Sequence, residues 1–195
     1  MMKLSKEETK FISQVLKDEN EPHFDICLEE SHASQLKHWL HTLSQASDIQ
    51  LVAKINSEVV YFPAHIHTSD NGSATFSCDL PNIFNAESSN RYWVTRRLSG
   101  IVLKAPSICT PFPVLSLSLS GLVIRTHPFM AMTLKEALTQ DVLELQLLDG
   151  KRATFEVELS RVVNDTAVSL EIMNIHEGLA ALKQTIFELY SETLD

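Results

Sequence analysis

The sequence predicts a mainly β protein with flanking helices, organised as two consecutive domains within 195 residues. Short segments of alternating apolar and polar residues, separated by turn residues, fill most of the chain after residue 48 and are typical of antiparallel strands. Amphipathic helical patterns stand at both ends of the chain. A polar stretch at 81–90, poor in periodicity, separates two groups of strands and predicts a domain boundary.

The first domain, residues 1–90, is predicted to be an accessory domain of helices plus a small β-sheet or barrel. Ser5 and Glu8 form a capping box ahead of an apolar helical stripe, and a second amphipathic helix is expected over 31–44. The Asn71-Gly72 pair favours the positive φ angles of a tight hairpin turn. Strands are predicted at 49–55, 58–68 and 73–80, and residues 81–90 are predicted to be a connection.

The second domain, residues 91–195, is predicted to be a six-stranded antiparallel β-barrel with a C-terminal helix. After an arginine-bearing stretch, strands are expected at 100–104, 114–120, 122–126, 141–148, 151–163 and 166–173, with a proline-rich link at 106–113. The alternation predicts that Leu143, Leu145 and Leu147 point inward. The last helix is predicted to be capped by Asn174, with Glu177 three residues further on.

The segment Val114 to Ser120 shows the strictest alternation in the chain. Three leucines, at 115, 117 and 119, alternate with Ser116, Ser118 and Ser120, which predicts one buried and one polar face. Gly121 ends the pattern, and a glycine there indicates a tight bend, a bulge, or a close approach to bare backbone. On its pattern alone, this segment fits a serine-faced barrel strand that binds nothing.

Composition argues for a cytoplasmic protein. No apolar run approaches the ~20 residues of a membrane helix, and the charged N-terminus lacks the apolar segment of a secretory signal. The three cysteines, Cys27, Cys78 and Cys109, are widely spaced, which argues against a disulfide framework and a cysteine zinc site and predicts buried thiols. We expect no membrane insertion.

The charge distribution places any anion site in the second half. The net charge of −9 disfavours nonspecific binding to nucleic acid. Residues 1–90 carry a net charge of −7 and no arginine, whereas residues 91–195 carry −2 and all the arginines. Because arginine suits bidentate recognition of phosphates and guanine edges, this asymmetry points to a site after residue 90.

The sequence offers no constellation typical of an enzyme or a metal site. The histidine pairs His65/His67 and His38/His41 each lack a third ligand placed by spacing. The motifs of phosphate-binding loops, dinucleotide folds and serine hydrolases are missing. Glu156 and Glu158 share the outward face of a predicted strand, which is more typical of a solvated surface than of an acid–base pair. We therefore expect no catalytic residues, no metal and no cofactor.

Residues 91–195 resemble the PilZ domain, a bacterial receptor module for the second messenger cyclic di-GMP. Members of that family carry Arg-x-x-x-Arg in a flexible leader, then Asp/Asn-x-Ser-x-x-Gly, a β meander and a terminal helix. Here Ser116-Leu-Ser-Leu-Ser-Gly121 stands at the second motif. By its architecture, the first half resembles the accessory domain of two-domain members similar to flagellar brake proteins. The resemblance implies a cyclic di-GMP site formed by Arg91, Arg96, Arg97, Ser116, Ser118 and Gly121.

Two departures from the family pattern leave two functions open. Position 116 is serine instead of Asp or Asn, and four or five residues separate Arg91 from Arg96 and Arg97 instead of three. One hypothesis is a cyclic di-GMP receptor that changes its interdomain arrangement to regulate motility, biofilm or virulence targets through a flagellar or secretion component. The alternative is a degenerate PilZ-like protein that binds no cyclic di-GMP and acts as a constitutive interaction or oligomerisation module.

Overall fold

The computed structural model describes residues 23–25, 43, 45–46, 49–68, 74–88, 90–127, 134, 138 and 141–194. The chain divides into two compact units, Met1–Ser89 and Asn90–Asp195. The predicted fold class is confirmed, since the described residues form a small antiparallel sheet, a closed six-stranded antiparallel barrel and a C-terminal helix. None of the helices in these ranges has the length and apolar character needed to cross a membrane.

The first unit contains a five-stranded antiparallel sheet. Its strands are β1 (His23–Asp25), β2 (Ile49–Ile55), β3 (Glu58–Thr68), β4 (Ala74–Cys78) and β5 (Asn82–Asn85). β3 is central: it pairs with β2 along one edge and with β4 and β5 along the other. Buried side chains such as Val60 and Phe62 line one face of β3.

The strand predictions for this unit are confirmed for β2, β3 and β4, but β5 was missed. The segment from 81 to 90 was predicted to be a connection, and its four strand residues, Asn-Ile-Phe-Asn, are too short and polar-flanked to show a period. They become a strand because the first half of β3 offers them a free edge, where Val60 pairs with Ile83. The predicted helix at 5–18 and the Asn71-Gly72 turn lie outside the described residues, and within 31–44 only Leu43 is described, which is helical and 40% exposed.

The cysteines differ in their surroundings. Cys78 is buried, and desolvation, with a smaller effect of the charge on Asp79, raises the pKa of its thiol to about 11. Cys109 is exposed. The expectation of buried thiols is therefore confirmed for Cys78 and wrong for Cys109, while Cys27 lies outside the described residues.

The second unit is built on six barrel strands. They are β6 (Val102–Ala105), β7 (Ile108–Leu117), β8 (Gly121–Arg125), β9 (Leu143–Gln146), β10 (Arg152–Asn164) and β11 (Ala167–Glu177). Around the barrel they follow the order β10-β11-β8-β7-β6-β9, and β9 closes the circle on β10. The alternation places Leu143, Leu145 and Leu147 in the core as predicted.

The proline-rich segment 106–113 is mostly strand, which corrects the prediction of a link. Only the turn at 106–107 connects β6 to β7, and Pro111 and Pro113 lie within β7. The backbone N–H of Val114 donates to Ile101 on the β6 side. The backbone nitrogens of successive strand residues point to opposite edges of the strand. Those of Pro111 and Pro113 therefore point to the other edge of β7, which pairs with no described strand residue at these two positions.

The C-terminal helix α1 (Leu179–Ser191) begins later than predicted. Asn174 does not cap it, because β11 continues through Glu177 and Asn174 pairs with Glu156 of β10. The helix starts instead at Gly178, whose φ of 78° is left-handed and where a Cβ would lie 2.2 Å from the Arg152 carbonyl oxygen. The helical spacing of Ile175, Leu179, Leu182, Ile186 and Leu189 predicts one apolar stripe. Leu182, Ile186 and Leu189 are buried, whereas Leu179 is 46% exposed and Ile175 lies in β11.

Candidate functional site

A bulge in β7 decides which of its residues face the core. Val114 pairs with Ile124 and Ser116 with Val123, so Leu115 is one extra residue on β7. Val114 is buried before the bulge and Leu117 after it. The extra residue therefore inverts the alternation and leaves Ser116 half-buried on the outer side of the barrel wall.

The strict leucine–serine alternation predicted for this segment is accordingly wrong. Leu115 and Leu119 are only half-buried, and β7 ends at Leu117. Ser118 is fully buried instead of lying on a polar face. The pattern fails because one bulge and one turn interrupt what the sequence presents as a continuous strand.

The Ser118 side chain belongs to the turn between β7 and β8. Its Oγ accepts hydrogen bonds from the backbone N–H of Ser120 at 3.2 Å and of Gly121 at 3.1 Å. The same hydroxyl lies 3.2 Å from the Gly121 carbonyl oxygen, to which it donates. The backbone N–H of Ser118 also donates to that carbonyl, at 2.8 Å. Ser118 thus satisfies the backbone of a buried turn.

Gly121 is required by the packing of the barrel itself. A Cβ at this position would lie 2.5 Å from the Leu170 carbonyl oxygen and 3.2 Å from Cη2 of Trp93. A backbone atom at that distance cannot move aside without shifting β11. The close approach that the glycine indicated in the sequence is therefore an approach of the protein's own backbone and of one indole ring.

The leader, residues 91–97, is attached to the end of β7. Val94 and Leu117 exchange two backbone hydrogen bonds, of 2.8 and 2.9 Å, in an antiparallel bridge. Val94 is buried, and the ring of Tyr92 packs edge-on against Tyr190 of α1 with centroids 5.1 Å apart. The register of the bridge sets Thr95 beside Ser116.

The leader arginines are divided between two places. Arg91, Trp93 and Thr95 are exposed and alternate with the inward Tyr92 and Val94, so they share the outer face next to Ser116. Arg96 is also exposed. Arg97 adopts a positive φ of 58°, and its guanidinium donates to Oε2 of Glu192, just after α1, at 2.5 Å.

The structure places the six predicted site residues in different surroundings. Arg91 and Arg96 are exposed and Ser116 is half-buried, whereas Ser118 and Gly121 lie inside the turn and the barrel wall. Arg97 is directed to the C-terminal end of the chain by Glu192. Sequence reasoning missed Trp93, although its position between two arginines was a signal, and it missed Glu192, which no local pattern links to Arg97.

The histidines and acids considered in the sequence form pairs in the structure. His65 lies 3.1 Å from the Asp79 carboxylate, and His176 lies 2.9 Å from that of Glu156. Glu156 and Glu158 are both exposed on β10, as the alternation predicted. Within the described residues, no group of three or more His, Cys, Asp or Glu side chains could hold a metal ion. His38 and His41 lie outside the described residues.

Comparisons with known proteins give structural neighbours of low similarity. No family model matches the chain, and no curated protein matches it. Bacillus subtilis inhibitor of motility MotI/DgrA superimposes with a TM-score of 0.39 and 13% identity, over 75% of this chain and 89% of that one. The K. pneumonia MrkH–c-di-GMP complex gives 0.40 and 15%, over 76% and 72%. MrkH in its apo state gives 0.37 and 13%, over 98% and 94%. At these values the neighbours are no guide to individual residues.

Proposed function

We propose that this chain is a receptor for cyclic di-GMP, which binds on the outer face shared by the leader and the end of β7. The observation that supports the proposal is the bridge between Val94 and Leu117, because it attaches the arginine-bearing leader to β7 with the exposed Arg91 and the half-buried Ser116 on the same side of the wall. An exposed arginine suits a phosphate or a guanine edge, and a half-buried hydroxyl on the same face supplies a hydrogen bond.

The other residues of the proposed site act in different ways. Arg96 is exposed and adds positive charge for the two phosphates. Arg97 reaches the ligand only by exchanging the Glu192 carboxylate for a phosphate. Ser118 and Gly121 support the site from below, since they shape the turn on which the ligand rests.

We further propose that binding regulates a protein partner. The leader begins two residues after Ser89, the last residue of the first unit, so a ligand that holds the leader acts on the connection between the units. The readout we expect is a changed arrangement of the two units in the cytoplasm. A flagellar or secretion component that governs motility, biofilm or virulence would then recognise one arrangement.

Calorimetric titration with cyclic di-GMP tests the receptor proposal. We expect Arg91→Ala to weaken binding by about tenfold or more, because it removes a charge-assisted contact. Arg161→Ala is the matched control, since Arg161 is an exposed arginine on β10, away from the leader, and its affinity should equal that of the wild type. A wild-type protein that gives neither heat nor a thermal shift at high ligand concentration would show that the receptor proposal is wrong.

A second candidate function, self-association without ligand, is favoured by the far end of β10. Val162 and Val163 are consecutive residues, and their exposed fractions are 50% and 46%. From Glu156 onward, β10 pairs only with β11 among the described strands, which leaves one backbone edge open. Sedimentation of the wild type and of Val162→Lys tests this: a dimer that the substitution dissociates supports it, and a wild-type monomer contradicts it.

A further inference from the structure

The outer side of Gly121 brings together two residues that the site described above does not use. Cη2 of Trp93 lies 3.2 Å, and Cα of Glu171 3.6 Å, from the point that a Cβ of Gly121 would occupy. Trp93 keeps 36% of its surface exposed, and Glu171 is exposed. Trp93 and Glu171 are therefore neighbours on the outer side of the barrel wall, next to Gly121.

The ladder between β8 and β11 shows that this position faces outward. Leu122 pairs with Leu170, and both are buried in the core. Gly121 pairs with Glu171, one step along, and successive residues of a strand point to opposite faces. Because Gly121 has no side chain, the edge of the Trp93 indole lies directly over its backbone, beside Glu171.

We propose that Trp93 and Glu171 form the base-binding subsite and select guanine. This inference rests on the proposed receptor function. An exposed indole face stacks on a purine, and a carboxylate accepts two hydrogen bonds from the N1–H and the exocyclic N2–H₂ of guanine. Adenine lacks this pair of donors, because its N1 is an acceptor. Glu171 thereby supplies an acceptor with two oxygens, which Ser116, with a single hydroxyl, does not.

Removing the charge of Glu171 tests its role, because repulsion of the ligand and recognition of guanine predict opposite changes in affinity. If Glu171 only repelled the anionic ligand, Glu171→Gln would tighten binding. A guanine acceptor predicts the reverse: weakening by about tenfold, as expected for the loss of a charge-assisted contact, together with lower discrimination against the adenine analogue, cyclic di-AMP.

Glu158→Gln is the matched control for this charge change, because Glu158 is exposed and pairs with Glu171 across β10 and β11. We expect its affinity for cyclic di-GMP to equal that of the wild type or to be slightly tighter. Equal effects of the two substitutions would overturn the role of Glu171.

The role of Trp93 is tested by fluorescence and by substitution. The chain has two tryptophans, so Trp39→Phe leaves Trp93 as the single indole reporter. Stacking predicts that saturating cyclic di-GMP quenches its emission, that Trp93→Ala weakens binding about tenfold, and that Trp93→Phe retains part of the affinity. Thermal unfolding shows whether each variant is folded.

The outcomes separate the two proposals. No binding by the wild type overturns the receptor function itself. Wild-type binding with unchanged affinity in folded Trp93→Ala and Glu171→Gln leaves the receptor function standing and overturns only the base subsite.

Discussion

The turn Ser118–Gly121 and the leader that is attached beside it use their residues in opposite ways. In the turn, the hydroxyl of Ser118 is fully buried and bonded to the backbone that follows it. In the leader, Val94 is buried, while Arg91 and Trp93, which both precede it, are exposed. Folding uses the hydroxyl of Ser118 and the missing side chain of Gly121. Ligand chemistry is therefore expected at the exposed surface of the leader.

The largest effect that separates the two regions is expected for Gly121→Ala. Its Cβ would lie 2.5 Å from a backbone oxygen, so β8 and β11 must move apart. We expect a loss of about 3 kcal/mol in the free energy of unfolding, typical of overpacking. Urea denaturation measures it.

Gly150→Ala is the control, because a Cβ there meets nothing within 4 Å and only its φ of 74° is unfavourable. About 1 kcal/mol is expected for that variant. Equal losses in the two glycine variants would contradict the packing role of Gly121.

The next effect concerns the serines. Ser118→Ala leaves the buried N–H groups of Ser120 and Gly121 without their acceptor, and we expect about 2 kcal/mol of destabilisation. Ser116→Ala, outside the turn, should change stability by less than about 0.5 kcal/mol. Thermal and urea unfolding measure the loss of stability in both variants. A larger loss in Ser116→Ala than in Ser118→Ala would contradict the structural role of Ser118 in the turn.

A substitution in the leader is expected to change ligand binding and to have little effect on folding. Affinity for cyclic di-GMP should fall as salt rises, and the fall should be smaller in Arg91→Ala, since one screened contact to the ligand is gone. Titrations over a range of NaCl concentrations measure both slopes. Identical slopes would show that Arg91 makes no contact with the phosphates.

The smallest effect is expected for Glu192→Gln. The pair with Arg97 is exposed, at 64% and 43% of the two side chains, so its loss should cost about 0.5 kcal/mol or less of stability. Release of the Arg97 guanidinium should raise ligand affinity about twofold to threefold, the scale of such an exposed pair. Calorimetry measures the affinity of Glu192→Gln for cyclic di-GMP, and Glu158→Gln controls for the loss of one negative charge. Weaker binding would mean that Glu192 positions Arg97 for the ligand.

Where a local rule acts alone, the sequence sufficed. Alternation placed Leu143 and Leu145 in the core, and the gaps left between the predicted strands at 56–57 and 149–150 are turns in the structure. The predicted site after residue 90 stays a prediction, and of its residues Arg91 and Arg96 are exposed. These features depend on side-chain period and turn chemistry over a few residues.

Other features were decided only by tertiary structure. The extra residue at Leu115 reverses the faces to which the following residues of β7 point, so the alternation of serines in the sequence does not give one polar face. The pairing of Arg97 with Glu192 joins residues 95 positions apart, and Trp93 lies against Gly121 because a bridge at Val94 sets the register. Bulges, registers and distant contacts depend on which strands meet, and no period along the chain encodes that choice. The sequence by itself therefore determined the barrel and its arginine-bearing half, while the packed structure decided which of those residues are buried and which are exposed on the outer face.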